Sequence, residues 1–279
     1  MLHVTHEAID DRASPSTSSA GSIEVWTVDR PRAANALDRA TFAQLGAAIA
    51  GAEARLSRGE LLRGVVIAST ARGGGAREVF LSGADLREVE AVADERTARA
   101  FALESMELLS RLEDLGCLVV AAISGDVYGG GCELVLACDQ RVLEEGAQLA
   151  FRQTRIGLAS GWGATTRLPR LVGLAAAKRL LLVGAPCPAS EALRIGLVDE
   201  LVERGSARAR ALELVRTSSE GAPRAIAAMK RGLRESASLD RETSLARELD
   251  RFVATWSTRD HREALAALRD KRPARFNGM

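Results

Sequence analysis

Two stretches join a strand-like run to a helix-like run through glycine: Phe80-Leu81-Ser82-Gly83-Ala84-Asp85-Leu86, and Gly125-Asp126-Val127-Tyr128-Gly129-Gly130-Gly131-Cys132-Glu133-Leu134. Where a chain passes from strand to helix, the first backbone N–H groups of the helix lack an intrahelical acceptor and point outward. Two such turns set face to face can each offer one N–H to an oxygen that gains charge during a reaction. Glycine turns also serve geometry alone, and the residues by themselves leave both readings open. Glu133 stands in the otherwise apolar run 132–137, one turn into the second helix. It is either an exposed first-turn acid interacting with the helix dipole or a buried carboxyl group that gives and takes a proton beside an oxyanion site.

Other chemistries find less support. His3, His6 and His261 lie near the termini in polar surroundings and read as surface residues. No serine sits in a GxSxG elbow, and the glycine runs match neither GxGxxG nor a phosphate loop with its following lysine. Cys117, Cys132, Cys138 and Cys187 form no CxxC pair, and three of them lie in apolar runs. They read as free buried thiols of a reducing compartment rather than a disulfide or zinc set. The acids and arginines of 241–251 read as a solvated helix face with i,i+4 pairs.

The elements around these turns alternate. Residues 23–28 form a strand ended by Pro31, and Asp38 caps a helix reaching about residue 56. Residues 64–69 form a buried strand closed by Gly73-Gly74-Gly75, 78–81 a short strand, and Asp85 opens a helix. An amphipathic helix over 94–115 precedes a buried strand at 117–123. This alternation predicts an α/β core with helical crossovers. From Thr165 the pattern is helical, apart from a strand at 198–202. The Ser- and Asp-rich stretch 10–22 reads as a loop between strands. The expected organisation is a core over 1–195 and a helical C-terminal region over 196–279.

Composition bounds the partners. Hydrophobic residues make up 47 % of 279, enough for a sizeable core, and the formal net charge is +1. Neither nucleic acid nor a membrane surface is expected as a partner. No apolar run reaches the roughly 18 residues of a membrane span, and the N-terminus lacks the order of a secretory signal. The expected location is cytoplasmic.

Read together, the two turns and their neighbours resemble the crotonase (enoyl-CoA hydratase/isomerase) family along nearly the whole chain. Arg30-Pro31 followed by Asn35-Ala36-Leu37-Asp38 is similar to the family's RP…NAL(D/S), and the Phe80 turn to F(S/C)AGADL. Residues 123–139 resemble (I/V)xGxxxGGGxELxxxCD, and 157–173 resemble GxxPGxGGTQRLPRxxG. Residues 189–198 and 262–276 resemble the later EAxxxGLV and EAxxAFxEKRxPxF segments. The resemblance implies a crotonase-like spiral of β-β-α units, with a C-terminal helical region that makes trimers or paired trimers. It implies an acyl-CoA thioester as substrate, with no metal or redox cofactor, and the N–H groups of Ala84 and Gly130 as its oxyanion hole. Glu133 would be the acid–base residue, and Ala36, Leu37, Ser82 and Asp85 would border the CoA. Lys271 and Phe276 match positions that reach toward a CoA site, within the chain or on a neighbouring subunit.

One segment departs from the pattern. Family hydratases position water with two glutamates, and the second belongs to FxxPExxxG. Here Phe151-Arg152-Gln153-Thr154-Arg155-Ile156-Gly157 is two residues shorter. Counting from Phe151 puts Arg155 at the glutamate position, and counting back from Gly157 puts Gln153 there. With one acid missing, ordinary hydratase turnover is expected to be much reduced. The shorter segment and the following Gly161-Trp162-Gly163-Ala164-Thr165-Thr166-Arg167-Leu168 resemble the ethylmalonyl-CoA decarboxylase branch. Loss of CO2 makes the enolate without a second base, and Arg155, Gln153 and Trp162 would hold the substrate carboxylate. The leading expectation is therefore an acyl-CoA lyase, with decarboxylation ahead of hydration. The alternatives are a hydratase or isomerase using Glu133 alone, and a non-catalytic binder of CoA esters.

Overall fold

The computed structural model describes residues 1–9, 21–70, 78–92 and 94–279. The loop read over 10–22, apart from Gly21 and Ser22, and the Gly73-Gly74-Gly75 turn lie outside the described residues. In chain order the first elements are β1 (Leu2–Ala8), β2 (Ser22–Val28), α1 (Arg39–Ser57), β3 (Leu62–Ser69), β4 (Val79–Leu81), α2 (Leu86–Glu90) and α3 (Glu95–Asp114). Next come β5 (Leu118–Ile123), β6 (Asp126–Tyr128), α4 (Gly130–Val135), β7 (Gln140–Glu144), β8 (Gln148–Ala150) and α5 (Ala164–Val183). The chain closes with β9 (Cys187–Pro188), α6 (Ala189–Arg194), β10 (Glu200–Val202), α7 (Ala207–Ser218), α8 (Pro223–Ser236), α9 (Arg241–Trp256) and α10 (Arg259–Asp270).

Two sheets result. The larger has the order β1-β2-β3-β5-β7-β10 and the smaller β4-β6-β8-β9. From β2 to β10 the larger sheet is parallel, and only β1 joins it antiparallel. Each circuit of the chain adds a strand to the larger sheet, then one to the smaller, then a helix: β3 with β4, β5 with β6, β7 with β8. This is the spiral of β-β-α units that the resemblance implies.

The larger sheet is covered on both faces, so β5 and the middle of β3 are continuous apolar runs. Side chains alternate across a strand. Trp26, Val65, Ile67, Val119 and Ala121 enter one core with α1, α3 and the smaller sheet. Their neighbours Val25, Val66, Ala68, Val120 and Ala122 enter a second core under α7 with Ala211 and Val215. β10 and α7 therefore belong to the sheet layers. The expected boundary at 195/196 falls too early, and the outlying helical part begins with α8.

The expected caps are in place and fix where the helices enter. Asp38, Asp85 and Asp94 accept from the backbone N–H groups of Thr41, Arg87 and Thr97, satisfying donors that the first helical turn leaves open. Asn35 ties the ends of two strands together: its Nδ2 donates to Thr70 O at 2.9 Å and Val79 O at 3.0 Å. Its Oδ1 accepts from Arg30 N at 2.9 Å. The loop carrying Ala36 and Leu37 is thereby held at the C-terminal end of the sheet, where β4 departs.

Candidate active site

The two glycine turns meet. Leu37 bridges Ala84, with Leu37 N donating to Gly83 O at 2.7 Å and Asp85 N to Leu37 O at 3.1 Å. In this pairing the N–H of Ala84 is left out of the ladder. Gly83 has φ +95°, and a Cβ there would stand 2.7 Å from Gly130 N. Only glycine allows both that backbone angle and that approach. Gly130 opens α4, so its N–H has no intrahelical acceptor. Neither the Ala84 nor the Gly130 N–H donates to a backbone acceptor among the described residues. The pair of donors expected from the turns is thus assembled side by side.

Glu133 follows Gly130 by one helical turn and is 2 % exposed. Of the two readings open at the sequence level, the buried acid is the one found. Its Oε2 accepts from Ser160 Oγ at 2.5 Å, Trp162 N at 2.9 Å and Ala164 N at 2.9 Å. Its Oε1 accepts from Gln153 Nε2 at 2.8 Å. Ala164 is the first residue of α5, so the carboxylate also sits at a helix N-terminus, where negative charge is favoured. A carboxylate offers about four acceptor positions. Oε2 is crowded by three donors, whereas Oε1 keeps room for another partner. Oε1 is therefore the atom available to take a proton.

Trp162 forms the wall of this pocket. Its ring packs edge-on against Phe42 at 4.9 Å and Phe101 at 6.0 Å. It lies so close to Gly130 that a Cβ there would meet ring atom Cζ3 at 2.2 Å. Helices α1 and α3 thus reach the site through one aromatic residue each. Cys132, next to Glu133, is buried, and burial pushes its thiol well above the ordinary range, so it supplies no thiolate.

Of the residues named from the sequence, Ala84, Gly130, Glu133, Gln153 and Trp162 come together here, with Leu37 and Ser82 in the adjoining turn. Ala36 O accepts from Arg30 Nη1 at 2.5 Å. Asp85 caps α2 and pairs with Arg30 at 3.1 Å, so its carboxylate serves the loop's architecture. Asp126 and Asp139 also have structural partners: Tyr128 Oη donates to the first at 2.7 Å and Lys230 Nζ to the second at 2.6 Å.

Arg155 does not join the site. It is exposed, and its Nη2 donates to Val183 O at 3.1 Å, at the end of α5. Gln153–Ile156 is a 3-10 turn. With three residues per turn, residues two apart point to different sides, so only one of Gln153 and Arg155 can face Glu133. Phe276 lies elsewhere within the chain. Its carbonyl accepts from Arg63 Nη2 at 2.8 Å, at the start of β3. The site adjoins the strand's other end, roughly 20 Å away at the usual rise per strand residue. Lys271 is the left-handed cap of α10.

Ser160 is the site residue that the sequence reading passed over. It occupies the proline position of the GxxPGxGG-like segment, and a hydroxyl in that place was the available signal.

Comparison with known proteins agrees with this fold. The family model described as enoyl-CoA hydratase/isomerase matches residues 18–279. A short-chain-enoyl-CoA hydratase of Clostridium acetobutylicum is 32 % identical over 252 residues, covering 90 % of this chain and 93 % of its own. The mitochondrial methylglutaconyl-CoA hydratase of Mus musculus is 31 % identical over 92 % of this chain and 80 % of its own. Among solved structures, an enoyl-CoA hydratase from Bacillus anthracis superposes with TM-score 0.84 at 30 % identity, covering 92 % of this chain and 96 % of that one. DspI of Pseudomonas aeruginosa gives 0.85 at 32 %, covering 99 % and 96 %.

Proposed function

We infer the function from one premise: the chain belongs to the enoyl-CoA hydratase/isomerase family. Its reaction, on this reading, is hydration or double-bond isomerisation of an enoyl-CoA thioester through an enolate, with Glu133 as the proton-transferring group. The thioester oxygen accepts from Ala84 N–H and Gly130 N–H. As negative charge collects on it, these fixed donors stabilise the enolate; deleting one such donor typically costs about 3–4 kcal/mol. Ala36, Leu37 and Ser82 border the CoA arm, and the Trp162 ring shields the enolate from water. The observation that carries the reading is the buried Glu133 carboxylate one turn beyond Gly130, whose N–H stands beside the Gly83–Ala84 turn.

The arrangement gives less support to decarboxylation, the leading expectation from the sequence. A substrate carboxylate needs a cation or an N–H donor. Arg155 is turned to the surface, and one of the two N–H donors of the Gln153 amide is committed to Glu133. The buried Glu133 carboxylate repels a second carboxylate brought beside it.

The test is Glu133→Gln assayed on a short 2-enoyl-CoA for hydration and on a saturated acyl-CoA in D2O for exchange at C2. Both rates should fall by about 100-fold or more, the usual range for losing a general acid–base group, with CoA-ester binding retained. Undiminished exchange would end the assignment.

We further propose that α8, α9 and α10 meet other copies of the chain in a trimer or a pair of trimers, as argued below.

A further inference from the structure

A thioester whose oxygen accepts from the Ala84 and Gly130 N–H groups has two directions left to fill. Its sulfur leads into the CoA arm along Ala36, Leu37 and Ser82, and its C2 must reach Glu133 Oε1 for a proton to pass. The rest of the acyl group then follows C2 past Glu133. Trp162 stands there. Its backbone N–H donates to Glu133 Oε2 at 2.9 Å. Its ring edge lies against Gly130, where a Cβ would be 2.2 Å from Cζ3 and 2.6 Å from Cη2. The residue is 4 % exposed, so the indole fills the space beside the oxyanion donors rather than lying over it.

The ring is also held in place. Phe42 of α1 packs on it at 4.9 Å and 87°, and Phe101 of α3 at 6.0 Å and 68°. The two phenyl rings meet each other at 6.2 Å and 81°, so the three close an edge-to-face cluster. The backbone on the other side is clamped as well. Trp162 O accepts from Arg167 Nη1 at 2.9 Å, and Arg167 pairs with Glu113 of α3 at 3.0 Å. A side chain boxed by α1, α3 and α4, on a backbone held at both its N–H and its C=O, cannot swing aside without breaking close packing. It is a fixed stop and not a gate.

We propose that Trp162 is the specificity-determining residue for acyl length: its indole closes the pocket close beyond Glu133 and restricts the substrate to short acyl groups. This rests on the reading of Glu133 and the two N–H donors as the reaction centre, and it names the class of thioester that centre takes. Carbons of a longer chain have nowhere apolar to go unless the indole leaves, and a methylene more or less in a hydrophobic pocket changes efficiency by about 10–200-fold.

The test compares chain lengths within one protein. Calorimetric binding of saturated butanoyl-CoA and decanoyl-CoA reads the pocket without turnover, and kcat/KM on 2-butenoyl-CoA and 2-decenoyl-CoA reads it with turnover. Wild type should bind decanoyl-CoA no more tightly than butanoyl-CoA, and should turn over the long enoyl-CoA about 100-fold less efficiently than the short one. Trp162→Ala opens the slot as far as Phe42 and Phe101. It should bind decanoyl-CoA about tenfold or more tightly than butanoyl-CoA, because the added methylenes are then buried, and should narrow the turnover gap by about tenfold or more. Trp162→Phe keeps a smaller ring in the slot, guards against loss of the fold, and should move both ratios in the same direction by less. A purely structural role for Trp162 would lower both chain lengths alike and leave the ratios where they were.

A wild type that binds decanoyl-CoA tenfold more tightly than butanoyl-CoA, or turns over both enoyl-CoAs equally well, overturns the proposal. So do two folded variants that keep the wild-type ratios. A wild type with the expected binding ratios and no turnover of any enoyl-CoA would support the stop at Trp162 and overturn the reading of Glu133 instead.

Discussion

Ser160 shows how much of the site's behaviour is set by one small side chain. Its hydroxyl donates to Glu133 Oε2 at 2.5 Å and accepts from Ala164 N at 2.9 Å. It therefore links the acid–base group to the first turn of α5 and fixes which carboxylate oxygen is crowded. Hydrogen bonds to charged groups contribute about 1.5–3 kcal/mol. Ser160→Ala should accordingly slow Glu133-dependent C2 exchange by about tenfold, mostly in kcat, because Ser160 lies behind Glu133 rather than against the CoA arm. Ser160→Thr keeps the hydroxyl and should recover most of the rate. A KM effect without a kcat effect would contradict this assignment. The residue scale is also where the sequence was least complete. Ala84, Gly130 and Glu133 were legible through the family resemblance, whereas the glycine turns and the lone acid by themselves left a structural reading open beside the chemical one. The Ser160 contact spans 27 positions, and no local spacing announces a hydroxyl's distant partner. Gln153 and Arg155 were left as alternatives because a two-residue shortening can be absorbed at either end of its segment. The 3-10 turn decides between them.

At the scale of elements, the site depends on two turns touching. Gly83 at φ +95° with Gly130 N beneath it is the contact point. Gly83→Ala introduces a methyl group into a space of 2.7 Å at a backbone angle that L-residues resist. Strained conformations of this kind cost of order 1–3 kcal/mol. A melting temperature several degrees lower is expected, with a loss of enolate chemistry larger than the stability loss explains, because displacing the Ala84 N–H by even 1 Å misaligns the hole. Equal catalysis in a merely less stable protein would show that the turns tolerate separation. Long elements such as α1, α3, β3 and β5 were legible from period and caps. The strands β6 and β8, three residues each, were not, since three residues cannot display a period of two against background. They form the smaller sheet only because the larger sheet's circuits bring them together, a tertiary cause invisible in any short window.

The whole molecule leaves one surface unexplained by its own packing. Helices α8 and α9 have no buried residue in the single chain, although their apolar positions recur at helical spacing. Met229 and Leu233 on α8, Leu249, Phe252, Val253 and Trp256 on α9, and Leu268 on α10 are all exposed, with Leu233 and Leu268 at 76 %. A helix with a strong apolar stripe forms by burying it, and contiguous exposed patches of this kind mark interfaces. The sheet layers end at α7, and none of the described residues covers the stripe. Other copies of the chain are the natural occupant, consistent with the trimer implied by the resemblance. Phe252→Glu combined with Leu249→Glu places two charges on α9 in the middle of the face. In sedimentation or light scattering the wild type should have the mass of three or six chains, and the double variant should shift to monomer. The dissociated chain should also lose helix content, because α8 and α9 would then have only each other to pack against. A wild-type protein that sediments as a monomer would remove this surface from the argument.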